Sequence, residues 1–492
     1  MEITPILDRD SGQPLYLQLY RHIRTLMEDG RIGAGARLPS IRQLSAHLQV
    51  SKVTVETAYQ QLIAEGYAQS RERSGLRALP IEKAPEAVSR NSASNKSIYR
   101  GNGSFASSSA REMPPRTDSN ETERRENRGA LPMIDFQYGD IDVERFPLKA
   151  WRACLHHALD YDLREVLGYG HPQGDAELRA ELARYLGESR GVHCTADQIV
   201  LTAGTQQSIA LLCRILQLAG RAVAMEDPGY SRVRSVFADH KCAMFPIPIE
   251  HDGLSIAALK ASKTAAAYVT PSHQFPIGSV LSAQKRHQLI QWANEIGAFI
   301  LEDDYDSEFR YQGQPIHALQ ALDQDGRVIY LGTISKSFLP SVRMSYLVLP
   351  LPVAEASLAR LASYNTAVSP LLQRAVMLFM REGHMERHVR RMRRLYQAKH
   401  RRLIHSLQVH MQDRVSIIGQ KAGLHLLLDI HGKQRDELIA LAEAAGVRVY
   451  SPAPQWSNPA QCPPSLIMLG FGGVPEQAIE EGIRRLAAVW FN

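Results

Sequence analysis

The string Thr333-Ile334-Ser335-Lys336 sets an amine beside two hydroxyls, and Arg343 follows seven residues after the lysine. An amine can form an imine with an aldehyde, and hydroxyls with a guanidinium can bind phosphate, so the set suits a phosphorylated aldehyde. Most lysines are solvated surface residues; the strand-like Tyr330-Leu331-Gly332 before this one and Arg343 after it argue for a site. Upstream, Glu302-Asp303-Asp304-Tyr305-Asp306 places four carboxylates in five residues directly after the apolar run Phe299-Ile300-Leu301. Strand alternation puts Asp303 and Tyr305 on one side. A buried carboxylate can hold a proton on a pyridine nitrogen, and a phenol can donate to a ring oxygen; both are pyridoxal phosphate chemistry. A solvated turn or a metal cluster are the other readings of this run. No histidine lies close in sequence, so no metal site is expected. A third string, Ala203-Gly204-Thr205-Gln206-Gln207-Ser208, follows an apolar run and opens a helix, where free N–H groups and the positive helix end can seat a phosphate.

The elements that must position these groups are legible from periodicity. Gln198–Thr202, Ala222–Met225, Ala267–Thr270, Phe299–Leu301 and Val328–Leu331 read as strands, each separated from the next by a helix-length segment. That alternation predicts an α/β fold with a largely parallel sheet, which binds ligands at the carboxyl ends of its strands. Residues 81–131 are polar and nearly free of apolar anchors, as in Ser89-Arg90-Asn91-Ser92-Ala93-Ser94-Asn95, and read as a flexible linker. They separate a small module, residues 11–80, from a large one, residues 132–492.

In the small module Leu15, Leu19, Ile23 and Leu26 recur at helical spacing after Pro14. Ser40 is placed to cap a second helix with Ile41, Leu44 and Leu48 inward, and Ser51 to cap a third with Val53, Val55, Ala58 and Leu62 on its apolar side. Gly66 ends it, and residues 71–77 suit a hairpin. This is helix-turn-helix geometry with a wing. Residues 11–80 hold nine Arg or Lys against five Asp or Glu, which suits a DNA partner. An ordinary solvated three-helix bundle has the same periodicity.

The whole chain of 492 residues, with 44% hydrophobic and 22% charged residues, has an ordinary globular composition. No apolar run is long enough to span a membrane, and the N-terminus lacks the pattern of a signal peptide. Five scattered cysteines form no CxxC pair, which fits a reducing cytoplasm better than a disulfide scaffold or a zinc site.

The string LPSIRQLSAHLQVSKVTVETAYQQLIAEGY resembles the winged-helix domain of GntR transcription factors. The resemblance implies DNA contacts by Arg42, Ser51, Lys52, Thr54, Arg73 and the Gly75 wing. Tyr169-Gly170 with Gly174, Asp227-Pro228-Gly229-Tyr230, Pro271-Ser272-His273-Gln274-Phe275-Pro276, the Asp303 cluster and Ser335-Lys336 together resemble fold-type I aminotransferases. The PSHQFP and EDDYDSEF strings point further, to the MocR subfamily, in which an aminotransferase-like domain follows the winged helix. That resemblance implies pyridoxal 5'-phosphate in Schiff-base linkage to Lys336, with Asp303 at the pyridine nitrogen, Tyr305 at the ring oxygen and Tyr230 stacked on the ring. Thr205, Gln206, Thr333, Ser335 and Arg343 would hold the phosphate, with Tyr169 reaching across a dimer, and Arg232 would meet an effector anion.

Two departures weigh on activity. Aminotransferases carry Asn where this chain has Phe275, and an Arg for the substrate carboxylate in the context that here reads Ile467-Met468-Leu469-Gly470-Phe471; Arg448 is a candidate substitute. The leading expectation is therefore a regulator, not an enzyme, that binds double-stranded DNA half-sites as a head-to-tail homodimer. It would sense pyridoxal phosphate itself, or an amine or amino-acid effector. The alternatives are a working aminotransferase tethered to a DNA-binding module, and a plain DNA-binding repressor with a dead second domain.

Overall fold

The computed structural model describes residues 3, 5, 7–9, 13–71, 75–81, 133–160, 163–311 and 316–491. The linker expected at 81–131, apart from Ile81, and Arg73 on the wing lie outside the described residues.

The small module holds α1 (Leu15–Glu28), α2 (Ile41–Leu48) and α3 (Lys52–Ala64), then β1 (Ala68–Arg71) and β2 (Gly75–Ala78), paired antiparallel with Arg71 opposite Gly75. Ser40 caps α2 in a full capping box with Gln43, and the Thr54 N–H donates to the Ser51 side chain at the start of α3. Leu19, Tyr20, Ile23, Leu44, Val55, Ala58 and Leu62 form the core. One expectation fails here: Val53 is 68% exposed. It lies two residues before Val55, and on a helix such neighbours diverge by about 200°.

The large module opens with β3 (Ile134–Asp135). Its main sheet contains β4 (Ile199–Thr202), β5 (Ala222–Asp227), β6 (Ala243–Glu250), β7 (Gly253–Leu254), β8 (Ala266–Val269), β9 (Phe299–Asp304), β10 (Val328–Thr333) and β11 (Ser345–Val348). The spatial order is β4-β11-β10-β9-β8-β5-β6-β7. The five strands from β10 to β6 are parallel, while β11, β4 and β7 join antiparallel, so the sheet is mixed with a parallel centre. β9 also runs three residues beyond the expected end, through Glu302, Asp303 and Asp304. Three of the four carboxylates thus sit within the strand, and Asp306 follows it. Glu302 is able to stay there because it accepts the N–H groups of Leu319 and Gln320.

A second layer contains β12 (Val415–Ile418), β13 (His425–Ile430), β14 (Val447–Arg448) and β15 (Leu466–Gly470). β12, β13 and β15 form one sheet, and β14 pairs with β3. The long helix His384–His410 and the final helix Glu476–Phe491 close this layer, burying Met392, Tyr396, Leu403, Ile483 and Trp490.

The small module is docked on the large one. The backbone N–H of Ala283 donates to the Glu65 carbonyl, and the Glu65 side chain lies 3.4 Å from His317 Nδ1. Tyr20 donates to Glu65 and stacks on His317 at 5.6 Å. Burial alone would raise the Glu65 pKa, but the hydrogen bond and charge of His317, with Tyr20 and Arg286, hold it down at about 2. Arg286 in turn donates to the carbonyls of Pro271 and His317. Arg190 pairs with Asp304 at 2.6 Å and donates to Ser272 and to the Ile316 carbonyl. Side chains therefore run in contact from β9 to the residues that grip Glu65.

Candidate functional site

At the carboxyl ends of the parallel strands lies a cavity of about 580 Å³. Thr205, Gln206, Tyr230, Arg232, Asp303, Tyr305, Thr333, Ser335, Lys336 and Arg343 all line it, although the sequence scatters them over residues 205–343. Tyr169 does not: it is 81% exposed and outside the cavity of its own chain.

Lys336 follows β10 and projects across the cavity, donating to the Gly139 carbonyl at 2.5 Å, with its ammonium 4.9 Å from the centre of the Tyr138 ring. Burial lowers its pKa to about 8, against the opposing pull of Asp306 and Asp140. An amine near that value is partly neutral at pH 7 and so able to attack a carbonyl. Asp303 is 4% exposed. One of its oxygens accepts from Tyr268, and the other, buried, has no hydrogen-bond partner among the described residues. Burial pushes its pKa up to about 7, with Asp304 and Asp306 adding to the rise. A buried acceptor left open at the cavity wall is what a protonated pyridine nitrogen would satisfy.

The opposite end gathers groups that can bind a phosphate. The helix Thr205–Ile215 starts at the cavity, so its first N–H groups lack intrahelical acceptors. Gly204 precedes it at φ +96°, and an added Cβ would run into the Arg343 guanidinium. Arg343 reaches back to the Ala203 carbonyl at 3.3 Å, and the Thr333 and Ser335 hydroxyls are 3.0 Å apart. Amine, open carboxylate and phosphate seat fit pyridoxal phosphate in one cavity.

Behind Tyr305 stands a network that spacing along the chain does not reveal. The Tyr305 hydroxyl donates to the His273 carbonyl at 3.0 Å and lies 2.9 Å from His273 Nδ1, which also lies 2.9 Å from Asp306. His425 sits beside this pair, with its ring 5.4 Å from that of His273, and burial lowers its pKa to about 3. His273, Asp306 and His425 bring ligand-type atoms within 4.8 Å of one another. The ground for setting metal aside, that no histidine is near in sequence, therefore fails: the fold delivers two histidines to the acidic run from 33 and 119 residues away. Phe275 packs against Tyr138, Tyr230 and Tyr305 where the polar Asn of aminotransferases was expected to be missing.

Met468 lines the cavity, 6% exposed. Arg448 does not replace a carboxylate anchor there: it pairs with Asp135 at 3.3 Å and is not part of the cavity wall. Among the described residues that line the cavity, Arg232 is a further cation beside Lys336 and Arg343.

On the small module, Arg42, Ser51, Lys52 and Gly75 are exposed and Thr54 is half-buried. The Ser51 and Thr54 hydroxyls lie 2.8 Å apart, so both also serve the cap of α3. Val53 stands beside Lys52 on the same exposed turn, and Arg37 packs at Gly75. Sequence reading missed both; the register of α3 would have revealed Val53, whereas Arg37 meets the wing only through tertiary pairing with Arg77.

Comparison with known proteins agrees with both halves. Residues 15–77 match the bacterial regulatory proteins of the gntR family, and residues 132–486 match aminotransferase class I and II. An uncharacterized HTH-type transcriptional regulator, YdeL of Bacillus subtilis, is 39% identical over 100% of both chains. The probable rhizopine catabolism regulatory protein MocR of Rhizobium meliloti is 32% identical over 99% of this chain and 95% of that one. The Pyrococcus horikoshii kynurenine aminotransferase structure superposes with a TM-score of 0.67 at 25% identity, covering 73% of this chain and 91% of that one. Full-length likeness to regulators, a GntR helix-turn-helix and a fold-type I aminotransferase domain on one chain lead to one assignment: the protein belongs to the MocR-type GntR transcriptional regulators.

Proposed function

We propose that this regulator holds pyridoxal 5'-phosphate on Lys336 and uses the loaded cavity to sense either the cofactor or an amine or amino-acid effector. The observation that carries the reading is the open, buried oxygen of Asp303 facing the cavity that also holds Lys336 and the Gly204–Arg343 phosphate seat. When bound, the cofactor supplies an aldehyde carbon and an electron-withdrawing ring. The protein's part is to keep the Lys336 amine partly neutral, to pair Asp303 with the ring nitrogen, and to hold Tyr305 through His273. Tyr230 covers the ring, Thr205, Gln206, Thr333, Ser335 and Arg343 take the phosphate, and Arg232 takes an effector anion.

A signal at β9 has a physical route outward, because Asp304 is tied through Arg190 and Ile316 to the segment whose His317 grips Glu65. Differential binding to two arrangements of the modules would then alter DNA affinity. Arg42, Ser51, Lys52, Thr54, Arg73 and Gly75 are the proposed DNA contacts. The modules are taken as residues 11–80 and 132–492 with a linker between them, acting in the cytoplasm. The exposed apolar side chains Leu148, Leu159, Leu163, Leu167 and Tyr169 support a head-to-tail homodimer, with Tyr169 entering the partner's cavity.

Turnover is not its proposed role, because Met468 stands where aminotransferases carry the Arg for the substrate carboxylate and Phe275 where they carry Asn. Steady-state assay of amino acid with keto acid, beside footprinting of the neighbouring promoters with and without cofactor, tests the reading. Cofactor-dependent footprints with negligible turnover support it; efficient turnover with footprints indifferent to cofactor overturns it.

A further inference from the structure

We infer that the long helix His384–His410 is a second DNA-binding surface, one that holds backbone phosphates of the duplex flanking the segment read by α3. The helix carries seven arginines and one lysine against one glutamate, a balance of +7. The whole chain is only +6, so the basic charge is concentrated on this helix and the small module, and the remainder is acidic.

The arginines fall into a row. Arg387, Arg390, Arg391, Arg394, Arg401 and Arg402 are all exposed, at the three- and four-residue spacing that lines one side of a helix. Their opposite side is the buried stripe Met392, Tyr396, Leu403 and Leu407. Among the described residues, Arg402 pairs with Glu480 at 3.1 Å, while no carboxylate lies in ion-pair range of Arg387, Arg390, Arg391, Arg394 or Arg401. Uncompensated like charges at this spacing oppose helix formation, and a polyanion would remove that opposition.

Duplex DNA is the polyanion that this row of charge fits best. Planar guanidinium groups match phosphate oxygens in pairs. From Arg387 to Arg402 the row extends about 22 Å, the axial length of about six base pairs. Over that stretch the exposed face presents no large apolar side chain, so it lacks the wedge that membrane-surface helices insert. Arg393 on this helix donates to the Arg310 carbonyl and lies within electrostatic reach of Tyr16 on α1.

Because phosphate contacts are sequence-independent, the test needs no known operator. Full-length protein is titrated into a fluorescein-labelled random-sequence duplex several helical turns long, from about 50 to 200 mM salt. Replacing Arg390, Arg394 and Arg401 with Gln should reduce the slope of log K against log salt by about 2–3 and weaken binding about tenfold or more at low salt. The Lys triple replacement should restore most of both. Unchanged slope and affinity in the Gln protein, or no restoration by Lys, would overturn the inference. If the triple protein does not fold, Arg394→Gln alone should cost about one unit of slope, and an unchanged slope would overturn it equally.

Discussion

Replacing Asp303 with Asn removes one charge from the floor of the cavity while keeping the side chain's size and its contact with Tyr268. In the protein without cofactor this carboxylate is buried, half-partnered, and pushed from 3.8 to about 7 by burial and by Asp304 and Asp306. A rise of about three units corresponds to about 4 kcal/mol of unfavourable energy carried by the ionised form. The sign follows from the raised value. The group costs nothing below the unfolded pKa, and the penalty grows as pH rises from about 4 to about 7 and is full above that. Asp303→Asn should therefore stabilise the cofactor-free protein at pH 8 and leave it unchanged at pH 4. A protonated ring nitrogen is the partner that relieves this penalty, so the same substitution should weaken cofactor binding, by about 10²- to 10³-fold for a lost buried charge pair. Thermal melts at the two pH values and titration of cofactor into stripped protein read the two effects separately. Unchanged cofactor affinity, or a cofactor-free protein less stable at pH 8, would refute the assignment of Asp303 to the ring nitrogen.

Three other substitutions probe the remaining parts. Gly204→Ala forces a side chain into a backbone region kept for glycine and against Arg343; it should cost about 1–3 kcal/mol and release cofactor on dialysis, which absorbance of the dialysed protein measures. Lys52→Ala should weaken DNA binding and lower the salt slope by about one unit; anisotropy that shows no change would remove Lys52 from the interface. Glu65, held down at about 2, contributes stability that is full above about 4.5 and lost as pH falls towards 2. Glu65→Gln should loosen the docked module by about 2–3 kcal/mol at pH 7, seen as faster amide exchange in Ser282–Arg286, and exchange identical to the parent protein would rule the latch out.

Both modules and the cavity could be read from the chain because their signals are local. A capping serine three residues before the N–H it accepts, a glycine at a helix start and a lysine after an apolar strand each act within a few residues. What escaped was non-local or depended on register. Val53 was placed inward because it neighbours Val55, but α3 turns it out. The acidic run was taken to follow β9, since sequence alone gives no hint that Leu319 and Gln320 supply the N–H groups that let Glu302 remain in the sheet. His273 and His425 meet Asp306 only through packing of the second layer on the first, and the same distance hid the failure of Arg448 to reach the cavity. The contact between Glu65 and His317 spans 252 residues, far beyond any periodic signal.

The proposed sensing rests on a covalent link between the Lys336 side chain and pyridoxal phosphate. Borohydride reduction of cofactor-loaded protein, followed by proteolysis and mass spectrometry, tests it directly. A phosphopyridoxyl group fixed on Lys336 and absent from Lys336→Ala is the expected result; a reduced protein with Lys336 unmodified, or with the group on another lysine, would contradict the proposed linkage.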